Sequence, residues 1–130
     1  MQIVVFKLGN EHFAVEAEKV QSINDSMNVT MVPNAPKYIK GLINLRGNIK
    51  SLVDINLLLN VTSEQDENNI IILNVKDEEI GISVDEVEEV LDIDEKLIQK
   101  VEDKSSQYVK GIVNCNDKLY TIIDIDSLLD

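Results

Sequence analysis

An internal duplication is the feature of this sequence that most constrains its fold. Residues 38–60 align with residues 108–130 without a gap, and eight of the 23 aligned positions are identical. Upstream, residues 3–25 align with residues 70–92, where four positions are identical and apolar residues fall on apolar residues almost throughout. A repeat of this length is typical of two structural units that share one fold.

The repeat boundaries divide the chain of 130 residues into two units joined by a polar segment. We expect one domain over residues 1–130, with a first subdomain at about 3–60, a linker at about 61–69 and a second subdomain at about 70–130. The linker contains the polar run TSEQDENN, which has no hydrophobic periodicity. The prediction allows strand exchange between the subdomains.

Within each unit, apolar and polar residues alternate with a period of two, as in a strand that buries one face. Residues 79–85 alternate without a break, with Ile80, Ile82 and Val84 on one face. Turn-type residues separate the apolar runs. This pattern predicts four hairpins, which pair residues 3–8 with 12–17, 39–45 with 48–54, 70–75 with 79–84, and 109–115 with 118–124.

Four or five short strands per unit would make a poor sandwich, because the open edges of the sheets would need covering. Closure into barrels removes those edges. We therefore predict a mainly all-β fold with two small barrel subdomains and short helical segments, and we expect a groove between the subdomains. One helical segment is predicted at Val87, Val90 and Leu91, which have helical spacing, and its counterpart at residues 20–23.

The charge excludes several classes of partner. Twelve lysine and arginine residues against 24 aspartate and glutamate residues give a net charge of −12. Such a charge repels nucleic-acid phosphates and anionic lipid, so we expect no nucleic-acid partner and no direct membrane insertion. No apolar run approaches the roughly 20 residues that span a bilayer, which predicts a cytoplasmic protein.

The sequence lacks the motifs that carry common enzyme chemistry. The single histidine, His12, lies at an outward strand position, and no nucleophile motif or phosphate-binding glycine loop occurs. The acidic run at residues 85–95 lacks the glycine of a calcium-binding loop. The single cysteine, Cys115, cannot form an internal disulfide. We therefore expect no catalytic residue, no cofactor and no metal.

The single arginine, Arg46, is a charged residue that the second copy does not share. Residues 1–60 carry six basic and five acidic side chains, so the excess negative charge lies in the rest of the chain, and the two units should bind different partners. Arg46 lies at a predicted turn, where the second copy has Asn116. Its planar guanidinium can recognise carboxylates or carbonyls. Arg46 is either such a recognition residue or an ordinary turn residue.

Two other functions fit parts of the sequence. The run Ser51-Leu52-Val53-Asp54 resembles the end of the phosphoacceptor strand in a response-regulator receiver, with Asp54 as acceptor. That domain needs strands alternating with helices, and the equivalent Asp124 favours a helix cap in both units. A small-ligand-binding barrel needs an enclosed cavity, whereas abundant Ile, Val and Leu favour filled interiors.

The first unit contains three motifs that occur together in a known family: Val32-Pro33-Asn34-Ala35-Pro36, Tyr38-x-x-Gly41-x-Ile43-Asn44-Leu45-Arg46-Gly47 and Val53-Asp54. With these motifs it resembles the CheW family of chemotaxis coupling proteins. Downstream, the run GISVDEVEEVL at residues 81–91 is similar to the family's second segment, and the resemblance extends over residues 3–129.

The resemblance implies two intertwined, SH3-like five-stranded barrels and a scaffold without catalytic activity. Its expected partners are the regulatory domain of the histidine kinase CheA and the cytoplasmic hairpin tip of methyl-accepting chemoreceptors, so the protein would sit at membrane-associated arrays through these partners. The receptor tip is a helical coiled coil, which implies a helix docked in a groove. The kinase contact is expected on the first unit, with no residue assigned. The receptor-binding residues carried over are Arg46, Gly47, Val20, Ile23 and Val87.

Overall fold

The structure is a computed structural model in which strands predominate. It describes residues 1–62, 66–100 and 107–129, except for the side chains of residues 128 and 129. The strands form two five-stranded sheets, which confirms the predicted mainly all-β class. A short helix, α1 (Ile55–Leu59), follows the fifth strand. The ten strands are β1 (Gln2–Leu8), β2 (Glu11–Glu16), β3 (Val20–Asp25), β4 (Ile39–Leu45), β5 (Asn48–Val53), β6 (Asn69–Val75), β7 (Glu78–Val84), β8 (Glu86–Asp92), β9 (Val109–Cys115) and β10 (Lys118–Ile123).

The two sheets exchange hairpins between the sequence repeats. The first sheet has the order β8-β1-β2-β10-β9, so the β1–β2 hairpin of the first repeat lies among strands of the second. The second sheet has the order β3-β6-β7-β5-β4, so the β6–β7 hairpin makes the reverse exchange. Each sheet contains one parallel pair between the two repeats, β2–β10 in the first sheet and β5–β7 in the second. A tight turn cannot connect two parallel strands, so these pairs form only between distant parts of the chain. Each sheet therefore requires both repeats.

The four predicted hairpins are confirmed as β1–β2, β4–β5, β6–β7 and β9–β10. Three of their turns have positive φ at both central residues, as type I′ turns require. In the β4–β5 turn, Arg46 has a φ of 53° and Gly47 a φ of 87°. Asn116 in the sister turn has the same φ of 53°, so the two turns have matching backbones at this position.

A pair of hydrogen bonds brings the two edges of each sheet together. Thr30, which follows β3, exchanges two backbone hydrogen bonds of 2.8 Å with Leu42 of β4, and Gln99 does the same with Ile112 of β9. The close approach depends on a glycine beside each bridge. A Cβ on Gly41 would lie 2.5 Å from the Thr30 carbonyl oxygen, and Gly111 is equally crowded. The identity of these glycines in the two copies thus has a steric cause.

The largest core lies between the two sheets, and a smaller core fills each sheet's concave side. β1 and β6 contribute to both kinds of core because both of their faces are buried, which explains their unbroken apolar runs. The core between the sheets includes Val4, Phe6, Phe13 and Val15 from the first sheet and Ile71, Leu73, Ile80 and Ile82 from the second. The smaller cores centre on Ile3, Val5, Val113 and Ile122 in the first sheet and on Ile43, Leu52, Ile70 and Ile72 in the second.

The two predicted helical segments are wrong, because residues 20–23 lie in β3 and Val87, Val90 and Leu91 lie in β8. A β-bulge produces the misleading spacing. Glu88 is an extra residue between Val87, opposite Phe6, and Glu89, opposite Val5. Because a bulge inserts one residue, side chains at positions i and i+3 across it lie on the same face of the strand. A helix gives the same spacing, so a bulged strand resembles a helix in the sequence. Gln21 is the equivalent extra residue in β3.

The predicted helix cap at Asp54 is confirmed. Its Oδ1 accepts a hydrogen bond from the Leu57 backbone N–H at 3.2 Å, which satisfies one of the free amides at the start of α1. In the second copy, Asp124 Oδ2 accepts instead from the Ser127 hydroxyl at 3.0 Å, and the chain continues as a 3-10 turn at Ile125–Leu129. The duplicated aspartate therefore ends a strand in both copies.

Among the ion pairs that link one repeat to the other, two use equivalent lysines of the two copies. Lys40 of β4 contacts Glu67, which precedes β6, and the equivalent Lys110 of β9 contacts Glu16 at the end of β2. The hydrogen bond from Lys110 holds the pKa of Glu16 below its ordinary value of 4.5, although burial opposes the shift. The same contact raises the pKa of Lys110.

We predict that Gly41→Ala destabilises the protein by about 1–3 kcal/mol, the usual cost of overpacking, because its Cβ would collide with the Thr30 carbonyl and Val29. Equilibrium urea unfolding measures this loss. Gly47→Ala is the control, since its Cβ would meet no atom within 4 Å and only its φ of 87° is strained. A Gly41→Ala loss no larger than that of Gly47→Ala would contradict the close approach.

The lowered pKa of Glu16 predicts a pH-dependent contribution to stability. Because the pKa is lower in the folded state, this contribution is present above the unfolded value of 4.5 and is lost as pH falls through the folded value. Lys110→Met should therefore destabilise the protein at pH 7 by less than about 1 kcal/mol, since the pair is partly exposed, and by less at pH 3. Urea unfolding at both pH values measures the difference, with Lys118→Met as the charge-matched control. An equal loss at both pH values would refute the assignment.

Candidate docking site

Four apolar side chains on two edge strands extend the core between the sheets to the surface. Val20 and Ile23 of β3 lie opposite the core residues Leu73 and Ile71 of β6. Val87 and Val90 of β8 lie opposite Phe6 and Val4 of β1, which belong to the same core. We call Val20, Ile23, Val87 and Val90 the apolar seam.

The apolar seam owes its composition to the two bulges. In a regular strand, residues three positions apart point to opposite faces, so only the bulges at Gln21 and Glu88 place Val20 with Ile23 and Val87 with Val90 on one face. Val20 and Val87 are half-buried against the core, whereas Ile23 is 44% exposed and Val90 is 55% exposed. Each copy thus contributes one anchored and one exposed apolar side chain.

The start of β8 is fixed by hydrogen bonds from both sheets. Asp85 precedes β8 and is buried, and its Oδ2 accepts a hydrogen bond from the Gly9 amide at 2.7 Å. Its own amide donates to the Lys7 carbonyl at 3.0 Å. Two residues later, the Val87 amide donates to Asn69 Oδ1 of β6 at 3.1 Å. The strand that carries half of the apolar seam is therefore tied to both β1 and β6.

The structure places the predicted receptor-binding residues in two locations. Val20, Ile23 and Val87 belong to the apolar seam, on the side of the sheets that faces the shared core. Arg46 and Gly47 lie at the exposed tip of the β4–β5 hairpin. The Gly47 amide donates to Asn44 Oδ1 at 2.8 Å, which supports the turn independently of the guanidinium.

Sequence reasoning missed two members of this region. Val90 was placed in a predicted helix and was not among the predicted receptor-binding residues, although it lies on the same face of β8 as Val87. Asn69 fell in the predicted linker, although it begins β6 and hydrogen-bonds to β8. The offset of 67 residues between the copies was the available signal for Val90, since it aligns Val87 and Val90 with Val20 and Ile23.

The single histidine is engaged in structural contacts. His12 Nδ1 lies 2.6 Å from Glu88 Oε1, and the His12 ring meets the edge of Tyr120. Across residues 1–62, 66–100 and 107–129, no group of three or more His, Cys, Asp or Glu side chains is arranged to hold a metal ion. Within the same residues, no helix has the length and apolar character needed to cross a membrane.

The receiver alternative is wrong for this chain. Its fold would require a parallel sheet that alternates with helices, whereas most neighbouring strands here are antiparallel. Asp54 caps α1, with its side chain hydrogen-bonded to the Leu57 amide. The barrel interiors favour packing over ligand binding, because Ile43, Leu52 and Ile72 are fully buried against one another in the second sheet.

Comparisons with known proteins agree with this geometry. The family model described as the CheW-like domain matches residues 2–130. The chemotaxis protein CheW of Thermotoga maritima is 30% identical over 132 residues, covering 99% of this chain and 87% of that protein. The chemotaxis protein CheW of Bacillus subtilis (strain 168) is 32% identical over 135 residues, covering 99% of this chain and 86% of that protein.

A solved structure gives the same result at the level of the fold. The crystal structure of the scaffolding protein TtCheW from Thermoanaerobacter tengcongensis superposes with a TM-score of 0.92 at 30% sequence identity. The match covers 99% of this chain and 87% of that protein.

Proposed function

Since the chain belongs to the CheW-like domain family, we propose that it is a non-catalytic scaffold that couples methyl-accepting chemoreceptors to the regulatory domain of the histidine kinase CheA. The match over residues 2–130 is the observation that carries the proposal. In this role the protein reaches the membrane-associated receptor array through its partners.

The apolar seam supports docking of a receptor helix. A helix that docks in a groove presents apolar anchors at spacings of three and four residues, and it needs exposed apolar side chains to receive them. Ile23 and Val90 offer such surface on opposite strands, and Val20 and Val87 support them from the core. Burying the exposed part of one such side chain contributes about 1–2 kcal/mol to binding.

Arg46 supplies the polar part of the proposed receptor contact. Its exposed guanidinium at a hairpin tip can form two parallel hydrogen bonds with a carboxylate or bridge helix-terminal carbonyls, which a lysine could not do. Gly47 keeps the turn in the conformation that presents it. The kinase contact is proposed for the first unit, as the family resemblance implies.

Reconstitution tests the proposal directly. We expect the protein to form a ternary complex with a CheA regulatory domain and a receptor cytoplasmic-tip fragment, detected by size-exclusion chromatography with light scattering. Each partner should also bind alone. Binding to neither partner would refute the proposed function.

The sister turn provides a matched test of Arg46. Arg46→Asn should leave the unfolding free energy within about 0.5 kcal/mol, because Asn116 already occupies the same φ of 53°. It should weaken binding of the receptor fragment at least about tenfold while leaving kinase binding unchanged. Isothermal titration calorimetry measures both affinities.

The control for Arg46 moves its charge instead of deleting it. The double variant Arg46→Asn/Asn116→Arg restores the net charge and places the guanidinium on the sister turn of the second copy. We expect it to bind the receptor fragment as weakly as Arg46→Asn does. Recovery of wild-type affinity would mean that overall charge, and not the location of Arg46, supports binding.

The apolar seam makes a separate prediction. Ile23→Ser should weaken receptor binding by about 5–30-fold, because it removes apolar surface worth about 1–2 kcal/mol from the contact. Leu119→Ser on β10 is the matched control, since Leu119 is exposed to a similar extent and lies outside the seam. Equal weakening by the two variants would contradict a contact at the seam.

A further inference from the structure

We propose that Asn69 is a positioning residue that sets the spacing between the two strands of the apolar seam, and so determines how well a receptor helix fits between them. The inference rests on the proposed function, because it assigns a role at the receptor-docking surface. It adds a residue that acts through the strands on either side of it. Asn69 begins β6, which lies beside β3 in the second sheet.

The carboxamide of Asn69 bridges β8 and β3. Its Oδ1 accepts a hydrogen bond from the Val87 amide at 3.1 Å, and its Nδ2 donates to the Asn24 carbonyl at 3.4 Å. Val87 is itself a seam residue, and Asn24 follows the seam residue Ile23. One planar side chain therefore contacts the backbone of both strands of the apolar seam.

The geometry requires both halves of a carboxamide. Aspartate could still accept from Val87, but it would place a carboxylate against the Asn24 carbonyl and has no donor for it. Leucine has a similar size and offers neither group. The equivalent position in the first copy is Gln2, which is exposed, so the duplication does not by itself demand a bridging amide here.

Backbone hydrogen bonds of the neighbouring residue hold the same strands when Asn69 is changed. The Asn68 amide donates to the Asp85 carbonyl at 3.1 Å, and the Ser26 amide donates to the Asn68 carbonyl at 3.0 Å. Because these bonds do not involve a side chain, variants of Asn69 should retain the fold. The Asn69 side chain therefore adjusts the spacing of β3 and β8, and the backbone hydrogen bonds of Asn68 hold these strands in the fold.

The first test compares Asn69→Leu and Asn69→Asp with the wild-type protein. Both variants should weaken binding of a receptor cytoplasmic-tip fragment by about 5–10-fold, the effect of losing one or two hydrogen bonds that fix a contact surface. Binding of the CheA regulatory domain should stay unchanged. Ser127→Ala is the control, because it also removes one side-chain hydrogen bond, to Asp124, outside the seam.

A double-mutant cycle separates positioning from general destabilisation. If Asn69 acts through Val87, Asn69→Leu combined with Val87→Ala should weaken receptor binding less than the product of the two single effects. Hydrogen exchange supplies a readout independent of binding, since Asn69→Leu should accelerate exchange of the Val87 amide and leave that of Val90 unchanged.

The outcomes distinguish the inference from the proposed function. Wild-type affinity in Asn69→Leu, multiplicative effects in the cycle, or an unchanged exchange rate at Val87 would each overturn the role of Asn69 while leaving receptor coupling intact. A wild-type protein that binds no receptor fragment would overturn the proposed function itself.

Discussion

The exchange of hairpins between the repeats is the constraint on which the rest of this structure depends. Neither sheet is complete without the hairpin of the other copy, because β1–β2 and β6–β7 each lie in the middle of the sheet built mainly from the other repeat. In these hairpins, β1 and β6 are buried on both faces. The two sheets therefore pack through them into one shared core. Folding of one unit is therefore coupled to folding of the other.

The proposed docking surface follows from this coupling. The strands that come after each exchanged hairpin, β3 and β8, become edge strands of opposite sheets, and their bulges turn two apolar side chains toward the shared core. The apolar seam is thus the exposed margin of an internal interface. An exposed margin of this kind is suited to protein binding because its apolar atoms are already held in place by buried neighbours.

The sequence predicted the four hairpins and the aspartate cap because each depends on a local pattern of residues. It showed the duplication because residues 38–60 still align with residues 108–130 without a gap. It did not predict the bulges, because the extra residues Gln21 and Glu88 give strands the spacing of helices. The role of Asn69 was also beyond reach, since its partners Val87 and Asn24 lie 18 and 45 positions away and meet only in the folded chain. Local sequence patterns thus determined the hairpins and the cap, whereas the apolar seam depends on strand pairing between distant parts of the chain.

The central claim is that both copies contribute to one receptor-docking surface. Nuclear magnetic resonance of the isotope-labelled protein, titrated with a receptor cytoplasmic-tip fragment, tests it most directly. The account predicts that backbone amide signals of β3 and β8 shift together and with the same apparent affinity. Shifts confined to strands of a single repeat, or absent from both β3 and β8, would contradict it.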